Sequence, residues 1–155
     1  MKLTRLVSPG EINAAARLMA AADPWRQLGL DAASCRKMMR TPFRETWKAS
    51  EGGNLAGLVT ITMYGTFKGY IQALFVAEAF RGRGIGEKLL AFAEKKILRS
   101  SPNIFLCVSS FNKRAIKFYR RLGYRKAGVL TDFLVKGHDE LLMRKTTGPV
   151  LKRTK

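Results

Sequence analysis

A loop of three glycines and two arginines follows a short apolar run near the middle of the chain. The apolar run is Leu74-Phe75-Val76, the loop reads Arg81-Gly82-Arg83-Gly84-Ile85-Gly86, and a helical pattern of apolar residues begins at Ile85. Glycines allow a ligand to approach the backbone, and the first N–H groups of a helix have no partner within it. With Arg81, Arg83 and Lys88 nearby, the turn is predicted to bind a phosphate or pyrophosphate group.

Other interpretations of this loop stay open at this point. A strand-to-helix turn without a ligand would also use glycines. The dinucleotide-binding fingerprint is G-x-G-x-x-G after a first strand, whereas these glycines are spaced G-x-G-x-G and lie in mid-chain. The nucleotide-binding P-loop needs G-x-x-x-x-G-K-[ST], a run that the sequence lacks. Two arginines at a helix start favour an anionic ligand over an empty turn.

A second group of candidate residues follows another apolar run, Leu106-Cys107-Val108. Asn112 stands where it can cap a helix, and that helix carries Phe118 and Tyr119 before it ends near Gly123. Together the two segments resemble the GCN5-related N-acetyltransferase (GNAT) family. Its acetyl-CoA motif, [RQ]-x-x-G-x-[GA], is matched by Arg81–Gly86, and the Asn112–Tyr124 segment is similar to the second family motif.

The resemblance implies that the loop holds the pyrophosphate of acetyl-CoA, the cosubstrate, and that the pantetheine arm pairs with the preceding strand. The amide of Phe75 or Val76 would then steady the thioester oxygen. Asn112 would hold the pantetheine or order Tyr119. The expected cofactor-binding residues are Leu74, Phe75, Val76, Arg81, Gly82, Arg83, Gly84, Ile85, Gly86, Glu87, Lys88, Asn112 and Phe118.

Tyr119 is the expected catalytic residue. The leaving group would be a thiolate whose acid has a pKa near ~8.5, and a tyrosine with a pKa near ~10 can protonate it. The alternative is a core aromatic on an amphipathic helix.

The general base is left open by the sequence. Relatives often carry a glutamate where this chain has Gln72, or on the next strand where it has Cys107. Glu78 lies just past a strand and is expected to be solvated. The turn His138-Asp139-Glu140 could reach the acceptor, but a solvated turn is favoured for it. A water chain is therefore the default expectation for proton removal.

The elements that must position these residues follow the order β-α-α-β-β-β-α-β-α-β-β. The class is α/β (α+β), and the resemblance, over residues 2–145, implies a mixed, mostly antiparallel sheet flanked by helices. That sheet is expected to open between the strands Tyr70–Ala77 and Ile104–Ser109. Residues 1–145 are expected to form a single domain, and residues 146–155 a mobile, basic C-terminal tail.

Composition limits the class of protein. The 155 residues are 46% hydrophobic, as in a globular protein that needs no disulfide or metal to fold. The apolar runs are too short for a membrane span, so we expect a cytoplasmic protein with no membrane partner. One histidine and two cysteines make a metal site an unfavoured hypothesis.

The charge allows two functional classes. Lys and Arg number 29 against 11 acids, a formal net charge of +18, and such a field attracts anions. The favoured function is acetyl-CoA-dependent N-acetyl transfer to a primary amine of a small molecule, peptide or protein, by a monomer or homodimer. The alternative is a basic protein that binds nucleic acid or ribosomes, without sequence specificity, through the helix bearing Lys113, Arg114, Lys117, Arg120 and Arg121.

Overall fold

The computed structural model describes residues 1–154, in which seven strands and four α-helices alternate in the predicted order. The strands are β1 (Lys2–Arg5), β2 (Arg44–Glu51), β3 (Asn54–Thr62), β4 (Tyr70–Val76), β5 (Asn103–Ser109), β6 (Arg125–Leu130) and β7 (Glu140–Thr146). The helices are α1 (Pro9–Ala20), α2 (Ala32–Arg40), α3 (Ile85–Ile97) and α4 (Lys113–Arg121), and a 3-10 turn, Glu78–Phe80, precedes α3.

The seven strands form one sheet in the order β1-β2-β3-β4-β5-β7-β6. Neighbouring strands are antiparallel except β4 and β5, which are parallel. This confirms the predicted mixed, mostly antiparallel sheet. Because β4 and β5 are parallel and joined through α3, their carboxyl ends lie at the same edge of the sheet.

The sheet opens between its two parallel strands. β4 and β5 pair at Tyr70 with Phe105 and at Ile71 with Leu106, and then diverge towards Val76 and Ser109. The β4 edge from Gln72 onwards therefore faces a gap instead of a neighbouring strand. The opening lies where the sequence analysis placed it.

Helices cover both faces of the sheet. On one face, Leu89 and Leu90 of α3 and Ile116 of α4 are buried in one cluster with residues of β3, β4, β5 and β7. On the other face, α1 and α2 bury Met19 and Cys35 against residues of β3 and β4. The strands of the centre are covered on both sides, which explains the continuous apolar run of β5.

The last strand, β7, extends by one residue into the segment that was predicted to be a C-terminal tail. β7 continues to Thr146, the Thr147 N–H donates to the Pro102 carbonyl at 2.9 Å, and the Gly148 N–H donates to Thr146 Oγ1 at 3.1 Å. The first residues of the predicted tail are thus held by hydrogen bonds to the loop before β5. Lys155, the last residue of that tail, lies outside the described residues.

Candidate active site

A cleft of about 650 Å³ occupies the opening between β4 and β5. Its walls are the end of β4, the glycine loop, the first turn of α3 and one face of α4. Most of the predicted cofactor-binding residues line it: Leu74, Phe75, Val76, Arg81, Gly82, Gly84, Ile85, Gly86, Glu87, Asn112 and Phe118. Tyr119 lines it as well.

Two glycines of the loop adopt a backbone conformation that disfavours any other residue. Gly82 has φ 75° and Gly84 has φ 73°, and Gly84 is the N-cap of α3. The first helical hydrogen bond runs from the Lys88 N–H to the Gly84 carbonyl, at 3.1 Å. The N–H groups before Lys88 therefore lie outside the helical ladder and are available to an anion.

The two arginines of the loop behave differently. Arg81 lines the cleft and its Nε donates to the Val76 carbonyl at 3.3 Å, so it folds back over the end of β4. Arg83 is not among the described residues that line the cleft, and its guanidinium stacks on Phe80, a cleft residue, at 5.4 Å from the ring centroid. Lys88, on the exposed side of α3, does not line the cleft either.

Three basic residues that the sequence analysis assigned to a solvated or nucleic-acid-binding face line the cleft instead. These are Arg114, Lys117 and Arg121, which recur at helical spacing on one side of α4. Arg121 also donates to Glu87 at 2.6 Å, which joins α4 to the first turn of α3 across the cleft. Their spacing was the signal in the sequence, but it could be interpreted only once α4 was known to face the glycine loop.

Arg114 offers a test of this wall against a matched control on the same helix. Because Arg114 lines the cleft, it is predicted to contact a phosphate of the expected cosubstrate, and changing Arg114→Gln is expected to weaken CoA binding about tenfold at low salt. Arg120→Gln removes an equally exposed charge that faces away from the cleft and should leave the Kd unchanged. Isothermal titration with CoA measures both variants, and equal losses would remove α4 from the cofactor site.

Tyr119 stands at the inner end of the cleft. Its side chain is 8% exposed and packs edge-on against Phe118 and Tyr124, with ring centroids 5.2 and 5.6 Å away. Burial raises the pKa of its phenol above the ordinary value. The helix that carries it is capped by Asn112, whose Oδ1 accepts from the Ala115 N–H at 3.2 Å, as predicted.

A smaller cavity of about 120 Å³ adjoins the cleft behind Tyr119. Gln72 and Cys107, the two positions that the sequence analysis discussed for a general base, both line it. Glu78 lies in the exposed turn after β4 and lines neither cavity among the described residues. His138 packs against the Phe111 ring at 5.3 Å between centroids.

Glu140 corrects the prediction of a solvated turn. It is the first residue of β7, its side chain is 2% exposed, and it lines the smaller cavity. Its Oε1 accepts from Ser109 Oγ at 2.6 Å. Burial raises the pKa of this carboxyl, and the Ser109 hydroxyl and nearby His138 oppose the shift. The sequence analysis missed the burial of Glu140 because the residues around this side chain come from β4 and β5, which are far away along the chain.

Two further findings concern residues 1–154. In this part of the chain, no group of three or more His, Cys, Asp and Glu side chains is arranged to hold a metal ion. Nor is any described helix long and apolar enough to cross a membrane.

Comparison with known proteins gives consistent results. Residues 13–124 match the sequence model of the Acetyltransferase (GNAT) family. N-alpha-acetyltransferase RimI of Mycobacterium tuberculosis is 28% identical over 137 residues, which cover 86% of this chain and 82% of that protein. Acetyltransferase Atu2258 of Agrobacterium fabrum is 42% identical over 74 residues, 48% of this chain and 52% of that protein.

The fold also resembles a solved structure. An aminoglycoside 6'-N-acetyltransferase complexed with coenzyme A superposes with a TM-score of 0.75 at 20% identity, covering 100% of both chains. The family match extends over most of the chain. The protein therefore belongs to the GNAT acetyltransferase family.

Proposed function

We propose that this protein transfers the acetyl group of acetyl-CoA to a primary amine of a small molecule, peptide or protein. The observation that carries this function is that one cleft joins a glycine-rich anion site, an unpaired strand edge and Tyr119. The likeness to an acetyltransferase solved with coenzyme A supports the cofactor. The likeness to an N-alpha-acetyltransferase supports an amine acceptor.

In this proposal the cleft binds acetyl-CoA along its length. The Arg81–Gly86 loop and the free N–H groups of α3 bind the pyrophosphate, and Arg114 and Lys117 meet the phosphates from α4. The β4 edge from Gln72 to Val76 pairs with the peptide-like pantetheine arm as an added strand would. This placement brings the thioester to the inner end of the cleft, beside Tyr119.

Tyr119 then serves as the proton donor. The amine nitrogen, once neutral, attacks the thioester carbon, so that a C–N bond forms and the C–S bond breaks. Tyr119 gives its proton to the departing sulfur and regains one from the nitrogen that becomes the amide. The phenol is protonated at neutral pH, as a proton donor must be, because its ordinary pKa lies near ~10 and burial raises it further.

Release of free thiol from acetyl-CoA, measured over a panel of primary amines, tests this function. At least one amine is expected to give thiol release above the hydrolysis rate, with the acetylated amine found by mass spectrometry. Titration with duplex DNA at two salt concentrations tests the alternative class, because unspecific binding to a protein of net charge +18 should vanish at high salt. Salt-resistant DNA binding without thiol release would overturn the proposal.

A further inference from the structure

We propose that the acceptor is a primary ammonium group carried on a short apolar arm, and that Glu140 binds this group and removes its proton. This assignment rests on the proposed function and identifies the base that the sequence left open. It places the acceptor in the 120 Å³ cavity behind Tyr119.

Strand register brings Glu140 into that cavity. Ser109 pairs with Glu140 across β5 and β7, so the two side chains lie on the same face of the sheet. Cys107, two residues before Ser109, lies on this face, and so does Tyr70, which pairs with Phe105. The cavity therefore presents one carboxylate beside a serine hydroxyl, a thiol and a phenol.

The carboxylate has no salt-bridge partner within residues 1–154, and His138 is the basic residue that acts on it electrostatically. Of the described residues that line the smaller cavity, Glu140 alone carries a charged side chain, although the protein has a net charge of +18. A buried carboxylate without a salt-bridge partner is costly, and an ammonium group in the cavity would neutralise it.

The same surroundings suit proton removal. Burial raises the pKa of Glu140, while the Ser109 hydroxyl and His138, on the loop before β7, act in the opposite direction. The other titratable groups lining the cavity are Tyr70, Cys107 and Tyr119, and burial raises the pKa of each, which keeps them neutral. Among the described residues that line this cavity, Glu140 is the one carboxyl, and its carboxylate form can accept a proton from an ammonium group.

The side chains that line the smaller cavity limit which group can connect the ammonium to the rest of the acceptor. Trp25, Leu28 and Met38, from the loop after α1 and from α2, form the apolar side of the cavity. Phe133 and Leu134, on the loop between β6 and β7, also line it and are 53% and 47% exposed, so they lie at its mouth. An apolar arm between the ammonium group and the remainder of the molecule fits this path, whereas a densely charged polyamine does not.

Glu140 and Tyr119 together account for every proton that moves in the reaction. The ammonium group gives one proton to the Glu140 carboxylate and becomes a neutral amine. The amine attacks, the thiolate leaves with a proton from Tyr119, and the second nitrogen proton restores Tyr119. Glu140 releases its proton to solvent after the amide has left the cavity.

Kinetics of Glu140→Gln test the inference. Glutamine keeps the shape and still accepts from Ser109 Oγ, but it cannot take a proton. With n-pentylamine and the tripeptide amide Leu-Ala-Gly-NH2 as separate acceptors, kcat/KM is expected to fall about 10²–10³-fold at neutral pH for the acceptor that fits. The loss should shrink as the pH approaches the pKa of that amine, because the amine then arrives neutral. Glu78→Gln, an exposed acid just past β4, is the matched control and should behave as wild type.

Outcomes for the base and for the function are separable. If Glu140→Gln binds acetyl-CoA normally yet keeps full kcat/KM, or loses it equally at every pH, Glu140 is not the base. If the wild-type protein releases no thiol with these acceptors or with any other primary amine of the panel, the proposed function fails. Ammonium binding is then still measured with desulfo-CoA present: n-pentylamine, and not 1-pentanol, should raise the Tm of wild type and should not raise that of Glu140→Gln.

The stability of Glu140→Gln gives a further expected result. A carboxyl whose pKa is raised on folding holds an extra proton in the folded state, so the wild type loses stability as the pH rises from its ordinary pKa of 4.5 through the folded pKa. Relative to wild type, Glu140→Gln should therefore gain free energy of unfolding over that window and hold the gain above it. Urea unfolding of both proteins at several pH values measures the difference. If the variant instead loses stability relative to wild type as the pH rises from acid to neutral, the carboxylate has a structural role.

Discussion

Replacing Tyr119 with phenylalanine is expected to lower kcat by about 10²–10⁴-fold, the usual effect of losing a positioned proton donor. The ring and its packing against Phe118 and Tyr124 are kept, so the fold should be retained. Acetyl-CoA affinity should change little, because the glycine loop that binds the pyrophosphate lies at the other end of the cleft. Steady-state thiol release with CoA titration in parallel measures both quantities.

Tyr124→Phe is the matched control for this variant. Tyr124 packs on Tyr119 and is buried, but its hydroxyl donates to Glu94 Oε1 at 3.0 Å, on the far side from the cleft. Removing that hydroxyl should cost about 1 kcal/mol of stability and leave kcat unchanged. If Tyr119→Phe also loses stability and keeps kcat in the folded fraction, its hydroxyl has a structural role instead.

Changing Gly84→Val is expected to abolish CoA binding while the fold is kept. A Cβ at this position would meet no described atom within 4 Å, so the protein itself has room for it. The new side chain would occupy the space that the pyrophosphate needs, beside the free N–H groups of α3. The φ of 73° adds about 1–2 kcal/mol of backbone strain.

Gly53→Val separates that strain from the lost contact. Gly53 has φ 78°, also has no described atom within 4 Å of an added Cβ, and lies in the β2–β3 turn away from the cleft. Both variants should lose similar stability, and only Gly84→Val should lose CoA binding by calorimetry. Normal CoA binding by Gly84→Val would mean that the loop is only a turn.

The sequence predicted well what is encoded locally. The Arg81–Gly86 loop and the cap at Asn112 depend on residues within a few positions of each other, and both lie where they were expected. The order of the elements and the opening beside β4 followed from the same local patterns with the family resemblance. The boundary at residue 145, the single domain and the cytoplasmic location stay predictions.

What the sequence could not show depends on contacts across the sheet. Glu140 and Ser109 are 31 residues apart, and their pairing is set by strand register that no local pattern encodes. Arg83 belongs to the loop by sequence and stacks on Phe80, which itself lines the cleft, and its role in binding the cofactor stays a prediction. Side-chain direction at an exposed loop is decided by such neighbours.

The proposed cofactor cleft accounts for part of the positive charge of the protein. Arg81, Arg114, Lys117 and Arg121 line the proposed CoA cleft, so part of the net charge of +18 lies where phosphates are expected. The remaining basic surface, including Lys113 and Arg120 on the outer side of α4, has no assigned ligand. Unspecific binding of nucleic acid there stays a prediction.

Thermal unfolding with acetyl-CoA and two matched ligands tests the central claim most directly. If the cleft cradles the pyrophosphate, acetyl-CoA at a hundredfold excess over its Kd should stabilise the protein by about 2.7 kcal/mol. Desulfo-CoA should do nearly as well, and acetyl-pantetheine, which lacks the phosphates, should have little effect. Equal stabilisation by NAD, or none by any CoA compound, would contradict the assignment.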